Sequence, residues 1–152
     1  MICYGMYPCP LGTLIIGCAE NKIVSVKLAS ETQLQHCPSP LSDLAARQLL
    51  EYFDGHRNIF DLPLLPAGTP FQLAVWQAIR QIPYGETRTY GQIAAALGKP
   101  KASRAVGQAA NRNPLWIVIP CHRVVGKDQK LTGYAGGIAI KQTLLELERN
   151  NA

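Results

Sequence analysis

Residues 89–126 read TYGQIAAALGKPKASRAVGQAANRNPLWIVIPCHRVVG. Thr89, with Gln92 three positions on, has the form of a capping box, and QIAAAL continues it as a helix. GKPK makes a turn, and ASRAVGQAAN makes a second helix. Two short helices joined by a tight glycine-containing turn match the helix-turn-helix pattern. Asn113-Pro114 breaks the chain, WIVI reads as a buried strand, and Pro120 ends it.

The second helix carries unusual side chains. Ala102, Ser103, Ala105, Gly107, Ala109 and Ala110 are small, and Arg104 and Arg112 stand out among them. For Ala105 and Ala109, close packing against protein explains the size. A nearly bare helix also suits close approach to the minor groove, where shape and backbone are read with little sequence selectivity. The charge agrees with such a partner. From Thr87 to Lys127 there are seven basic side chains and no Asp or Glu, which leaves eight basic against ten acidic residues elsewhere. Ordinary surfaces mix both signs, so an anionic polymer is expected along this segment.

On the N-terminal side, LGTLIIGCA and IVSVKLA read as two strands of a hairpin turning at ENK, and SETQLQHCPSP reads as loop. Ser39-Pro40 supplies a cap and a first-turn proline. The helix that follows places Leu41, Leu44, Leu49, Tyr52 and Phe53 on one face, with Gly55 to end it. FDLPLLPAG reads as an extended linker, which puts the domain boundary near residues 62–69. Thr69-Pro70 repeats the cap-plus-proline start, and Phe71, Val75 and Ile79 line the next helix. On the C-terminal side, GYAGG is a turn and IAIKQTLLELER is the last helix, its buried face set by Ile140, Leu144 and Leu147.

Composition narrows the class. The chain has 152 residues, of which 47% are hydrophobic and 16% charged, too apolar for a disordered tail and enough for a real core. Five cysteines without a CxxC pair argue against a disulfide framework or a zinc ribbon and for reduced thiols. The N-terminus lacks the basic start of a signal peptide, and no apolar run nears a membrane span, so a cytoplasmic location and no membrane partner are expected.

IPCHRVVG, residues 119–126, carries the chemistry. Cys3, Cys9, Cys18 and Cys37 read as inert small hydrophobes. Cys121 is different, because protonatable and cationic neighbours stabilise a thiolate and mark it as a nucleophile. Adjacent residues on an extended chain face opposite ways. Either Pro120 starts a turn, or a water carries the proton between Cys121 and His122. The base needs an orienting group, and Glu148 extends the buried face of the last helix to a position where a carboxylate demands a partner.

PCHRVVG, the preceding RAVGQAANRNPLWIVI and the following GYAGG with the final helix resemble the O6-alkylguanine-DNA alkyltransferases, or methylated-DNA–protein-cysteine methyltransferases. The resemblance runs from about Thr69 to Glu148. It implies an α+β chain: a small ribonuclease-H-like α/β N-terminal domain over residues 1–65, then a helical, winged-helix-like (helix-turn-helix) C-terminal domain over 66–152. It implies DNA repair by direct reversal, a single-turnover transfer of the alkyl group from O6-alkylguanine in double-stranded DNA, or from O4-alkylthymine, after nucleotide flipping. By motif position, Cys121 is the alkyl acceptor, His122 the water-mediated base and Glu148 the residue that orients it. Asn113 ties the helix-turn-helix to the active-site strand. Tyr90 hydrogen-bonds the extruded guanine, Arg104 fills the vacated stack, and Tyr134 forms a wall of the base pocket. Ala102, Ser103, Ala110, Arg112, Arg123 and Ala135 complete the expected duplex and pocket contacts. Ala135 stands where some relatives carry serine, and Ala110 where some place a larger apolar wedge. The zinc ligands of the vertebrate N-terminal domain have no match, so neither metal nor cofactor is expected, and the protein is expected to act as a monomer. The alternative is a non-catalytic helix-turn-helix module that binds DNA or recognises lesions, for which Cys121 has no special role.

Overall fold

The computed structural model describes residues 1–30 and 34–152, and its chain divides into two compact units. The first comprises Met1–Ala67 together with Pro114–Trp116, and the second comprises Gly68–Asn113 and Ile117–Ala152. Among the described residues, no helix is long and apolar enough to cross a membrane.

In the first unit, β1 (Cys3–Cys9), β2 (Gly12–Ala19) and β3 (Lys22–Ala29) form an antiparallel sheet in that order. The β2–β3 hairpin lies where the sequence reading put it. Glu20 and Asn21 both take positive φ, the conformation of a two-residue turn that matches strand twist. β1 was missed, since CYGMYPC lacks clean alternation and holds Pro8. At the sheet edge a proline's missing N–H removes nothing from the ladder. Helix α1 (Pro40–Phe53) starts at the Ser39 cap, with Ser42 closing the capping box in return. Its buried face is Ser42, Ala45, Ala46, Leu49 and Tyr52, whereas Leu41, Leu44 and Phe53 are half-buried. Small residues let the helix lie close to the sheet and displace the larger leucines to its margin. Of the SETQLQHCPSP loop, residues 31–33 lie outside the described part.

FDLPLLPAG is not a free linker. Ile23 N–H donates to Pro63 O at 2.8 Å and Leu65 N–H to Ile23 O at 2.9 Å, so this stretch runs parallel along β3. Gln48, buried in α1, clamps it further. Its amide donates to Asp61 O at 3.1 Å and accepts from Asp61 N–H at 3.0 Å.

In the second unit, α2 (Pro70–Ile79) has its Thr69–Gln72 capping box, and it buries Val75, Trp76 and Ile79. The short β4 (Arg88–Thr89) leads directly into α3 (Tyr90–Ala96), again through a capping box, Thr89 with Gln92. Gly98, at φ +72, supplies the left-handed residue that lets the chain turn toward α4 (Ser103–Asn111). The indole N–H of Trp76 donates to Ala109 O at 2.9 Å and ties α2 to α4. WIVI is not a strand. Leu115 bridges Val26 in the first unit, and Ile117 then turns the chain with φ +73, a strained conformation for a β-branched residue. The four apolar side chains are buried as expected, but by a turn that a run of apolar letters does not reveal. β5 (Val124–Val125) pairs in parallel with β4, and α5 (Ile138–Asn151) closes the unit.

The Gln48→Leu variant leaves the Asp61 backbone groups without their partner, so urea denaturation should show a loss of about 1–3 kcal/mol. An unchanged midpoint would show that the 60–66 segment is not held by this clamp.

Candidate active site

Pro120, at φ −81 and ψ 63, turns the chain into a short 3-10 helix over Cys121–Arg123. The turn that the sequence offered at Pro120 is therefore present. Three residues per turn fan the side chains of Cys121, His122 and Arg123 in different directions, and all three are buried. The Cys121 thiol is 3% exposed and is hydrogen-bonded by Asn113. Asn113 also donates its amide to Ile119 O at 2.9 Å, so one buried side chain bridges the end of α4, the turn at 117–119 and the sulfur.

Glu148, 1% exposed, gathers four donors. Its Oε2 accepts from His122 Nε2 at 2.5 Å and from Arg123 Nη2 at 3.0 Å. Its Oε1 accepts from Arg123 Nε at 2.7 Å and from Gly85 N–H at 3.3 Å. A carboxylate offers about four lone-pair sites, so this one is saturated. Burial alone would raise its pKa, but the hydrogen bonds and charges of His122 and Arg123 outweigh it and hold the carboxyl down at about 2. Burial also lowers the His122 pKa, against the pull of Glu148, so the imidazole is neutral at pH 7. With Nε2–H given to the carboxylate, the basic lone pair of the neutral ring is on Nδ1.

The α5 face differs by one position from the expected one. Lys141, Leu144, Leu145 and Glu148 are buried, while Ile140 and Leu147 are half-buried. Sequence reasoning missed Lys141, although it sits at the i+3, i+4, i+7 spacing from that same set. Its ammonium is 0% exposed and donates to Val124 O at 2.6 Å and Thr132 O at 2.9 Å. Burial lowers its pKa to about 8, and its charge acts on Cys121. Burial pushes the thiol up to about 12 despite the opposing pulls of Asn113 and Lys141. At neutral pH the thiol is therefore protonated.

Two expectations are corrected. Arg123 does not face a duplex: it is buried, and its guanidinium is taken up by Glu148 and by Ile82 O at 2.8 Å. Ala110 is also buried in the α4 packing, because it lies on the face turned toward the core. Arg104, Arg112 and Ala135 are exposed, and Ala102, Ser103, Tyr90 and Tyr134 are half-buried. Tyr134 has its hydroxyl pKa raised, by burial first and then by the neighbouring Cys121 and Glu148. Tyr90, Arg104, Gly107, Asn111 and Thr132 line a surface groove of about 410 Å³. Among the described residues, no group of three or more His, Cys, Asp or Glu side chains is arranged to hold a metal ion.

Two family models match the chain: the 6-O-methylguanine DNA methyltransferase ribonuclease-like domain over residues 2–66, and the DNA binding domain of the same name over residues 70–150. The constitutive methylated-DNA–protein-cysteine methyltransferase of Bacillus subtilis is 51% identical over 150 residues, covering 92% of this chain and 91% of its own. A methylated-DNA–protein-cysteine methyltransferase of Methanosarcina barkeri is 64% identical over 107 residues, 70% of this chain and 68% of its own. Among solved structures, the Mycobacterium tuberculosis O6-methylguanine methyltransferase superposes with a TM-score of 0.91 at 42% identity, covering 100% of this chain and 95% of its own. The OGT of the same organism in complex with DNA gives a TM-score of 0.90 at 43% identity, covering 98% and 94%.

The depressed Glu148 pKa fixes the sign of an acid effect. Its folded value lies below its ordinary 4.5, so its ion pairs contribute stability that is full above about 4.5 and is lost as pH falls toward 2. Thermal denaturation across that window should show the loss in the wild type and a shallower decline in Glu148→Gln. At pH 7 the variant should be less stable by about 3–5 kcal/mol, since Arg123 stays buried without its counter-charge. Parallel pH profiles for the two proteins would contradict the assignment.

Proposed function

Because the chain belongs to the 6-O-methylguanine DNA methyltransferase family, we propose that it repairs O6-alkylguanine in double-stranded DNA by moving the alkyl group, once and irreversibly, onto its own Cys121. The observation that carries the reading is the buried Cys121–His122 turn, its thiol held by Asn113 and its imidazole held at Nε2 by Glu148. O4-alkylthymine is the second substrate of the reading. Residues 66–152 carry both DNA binding and transfer, following in sequence an N-terminal domain of residues 1–65.

The O6 substituent lies within the base stack, so the nucleotide is swung out at a cost of a few kcal/mol. Arg104, exposed on α4, occupies the gap, while the other exposed basic residues of the 87–127 segment meet phosphates. Half-buried Ser103 and Gly107, between the exposed Arg104, Gln108 and Asn111, leave room for close approach to the minor groove, with little sequence selectivity. His122 takes the thiol proton through a water. The sulfur lone pair forms the S–C bond, and the C–O6 electron pair stays on guanine. Tyr90 donates to the base as that charge develops, and Tyr134 walls the pocket. The thioether product has no easy leaving group, so each molecule turns over once, without metal or cofactor. The reading has the protein acting in the cytoplasm as a monomer.

Mixing the protein with a duplex containing O6-methylguanine should add one methyl group, mapped to Cys121 by peptide mass; repeated release of a methylated small molecule would contradict this. Cys121→Ala should keep duplex binding and lose transfer. A wild type that binds the duplex without labelling would instead favour a non-catalytic recognition module.

The pH profile follows from His122. A base must be neutral, and burial depresses this pKa below 6.5, so as pH falls from 7 the transfer rate should hold down to 6.5 and drop only below that; on the alkaline side it should drop near 8 as Lys141 loses the charge that acts on Cys121. A loss of rate on acidification that begins near pH 7.5 would exclude His122 as the base. Arg104→Ala should slow repair in a duplex more than in a single strand.

A further inference from the structure

Tyr90 carries a hydroxyl that the transfer uses, and a phenol rotates freely unless something holds it. Thr132 is the neighbour that does so: its Oγ1 donates to the Tyr90 hydroxyl oxygen at 3.0 Å. Thr132 is itself fixed at two further points. Its carbonyl accepts from the fully buried Lys141 ammonium at 2.9 Å, and that ammonium also binds Val124 O at 2.6 Å, in β5 just past the reactive turn. Its methyl group lies against Gly126, where a Cβ on that glycine would come within 3.1 Å of it. The Lys141 ammonium stands 5.8 Å from the centroid of the Tyr90 ring, so one cation spans the same two residues.

We propose that Thr132 is a positioning residue for alkyl transfer, its hydroxyl holding the Tyr90 phenol so that the phenol's own proton is aimed at the extruded base. A phenolic oxygen accepts along its lone pairs and donates along its single O–H. With Thr132 donating to that oxygen, the Tyr90 proton has to point away from Thr132. The groove that both residues line is where it can go. Thr132 thereby also polarises the phenol, because a hydroxyl that accepts a hydrogen bond donates a stronger one. The effect grows as negative charge builds on the departing guanine, so it belongs to the transition state more than to the bound substrate. Sequence alone hides this role, since Thr132 is an exposed residue in an irregular stretch, 42 positions from Tyr90.

The inference rests on the alkyl-transfer reading, and the experiment separates the two. Single-turnover methylation of Cys121 by an O6-methylguanine duplex is followed for the wild type, Thr132→Val, Thr132→Ser, Tyr90→Phe and the Thr132→Val/Tyr90→Phe double variant. Valine keeps the methyl packing on Gly126 and the backbone bond to Lys141, and removes only the hydroxyl. The rate at saturating duplex should fall about five- to tenfold in Thr132→Val, the size of one lost hydrogen bond, with the half-saturating duplex concentration unchanged. Serine should restore most of the rate, and valine should have no further effect once Tyr90 is Phe. Equal rates for wild type and Thr132→Val overturn the proposal, as does an undiminished effect of valine in the Tyr90→Phe background. Absence of Cys121 labelling in the wild type takes down the alkyl-transfer reading itself.

Discussion

The carboxylate of Glu148 is the point on which this molecule turns. It is buried on α5 and accepts from His122, twice from Arg123 and from the Gly85 backbone. An anion removed from water survives only when its lone pairs are filled, and here they are. The same four bonds do structural and chemical work together. They pin the Cys121–Arg123 turn to the last helix, and they choose the imidazole tautomer that leaves Nδ1 basic. Arg123 keeps the site from needing a second proton on the histidine, because its charge already balances the carboxylate.

Around that centre, buried polar side chains replace what a regular strand would have supplied. The run after α4 is held to Val26 only by an isolated bridge and then turns at Ile117 with positive φ, and among the described residues no strand lies between α4 and Cys121. Asn113 bridges to Ile119 O and the thiol, and Lys141 bridges Val124 to Thr132. A lysine buried this deeply is tolerated because backbone carbonyls take its protons and an aromatic ring lies nearby. Its charge lowers the cost of ionising the sulfur, while burial keeps the thiol protonated at rest.

The basic segment separates into two populations once the fold is formed. Arg104, Arg112, Lys99 and Lys101 are exposed, consistent with an electrostatic face toward a polyanion. Arg123 belongs to the interior and neutralises a carboxylate 25 positions away in the chain. A charge count along the sequence treats them alike; desolvation and a buried counter-charge distinguish them.

Local signals in the sequence were enough for the β2–β3 hairpin, the three capped helix starts at Ser39, Thr69 and Thr89, and the helix-turn-helix, because caps, turns and prolines act within a few residues. Cys121 and His122 stood out as neighbours in one motif, and the burial of Glu148 followed from helical spacing. Tertiary structure alone settled the rest. It turned WIVI into a kink, laid the 60–66 stretch along β3, moved the buried face of α5 to Lys141, and took Arg123 inside. Each of these depends on what a residue meets from a distant part of the chain. Burial and pairing energies of that kind leave no periodicity for a linear reading to find.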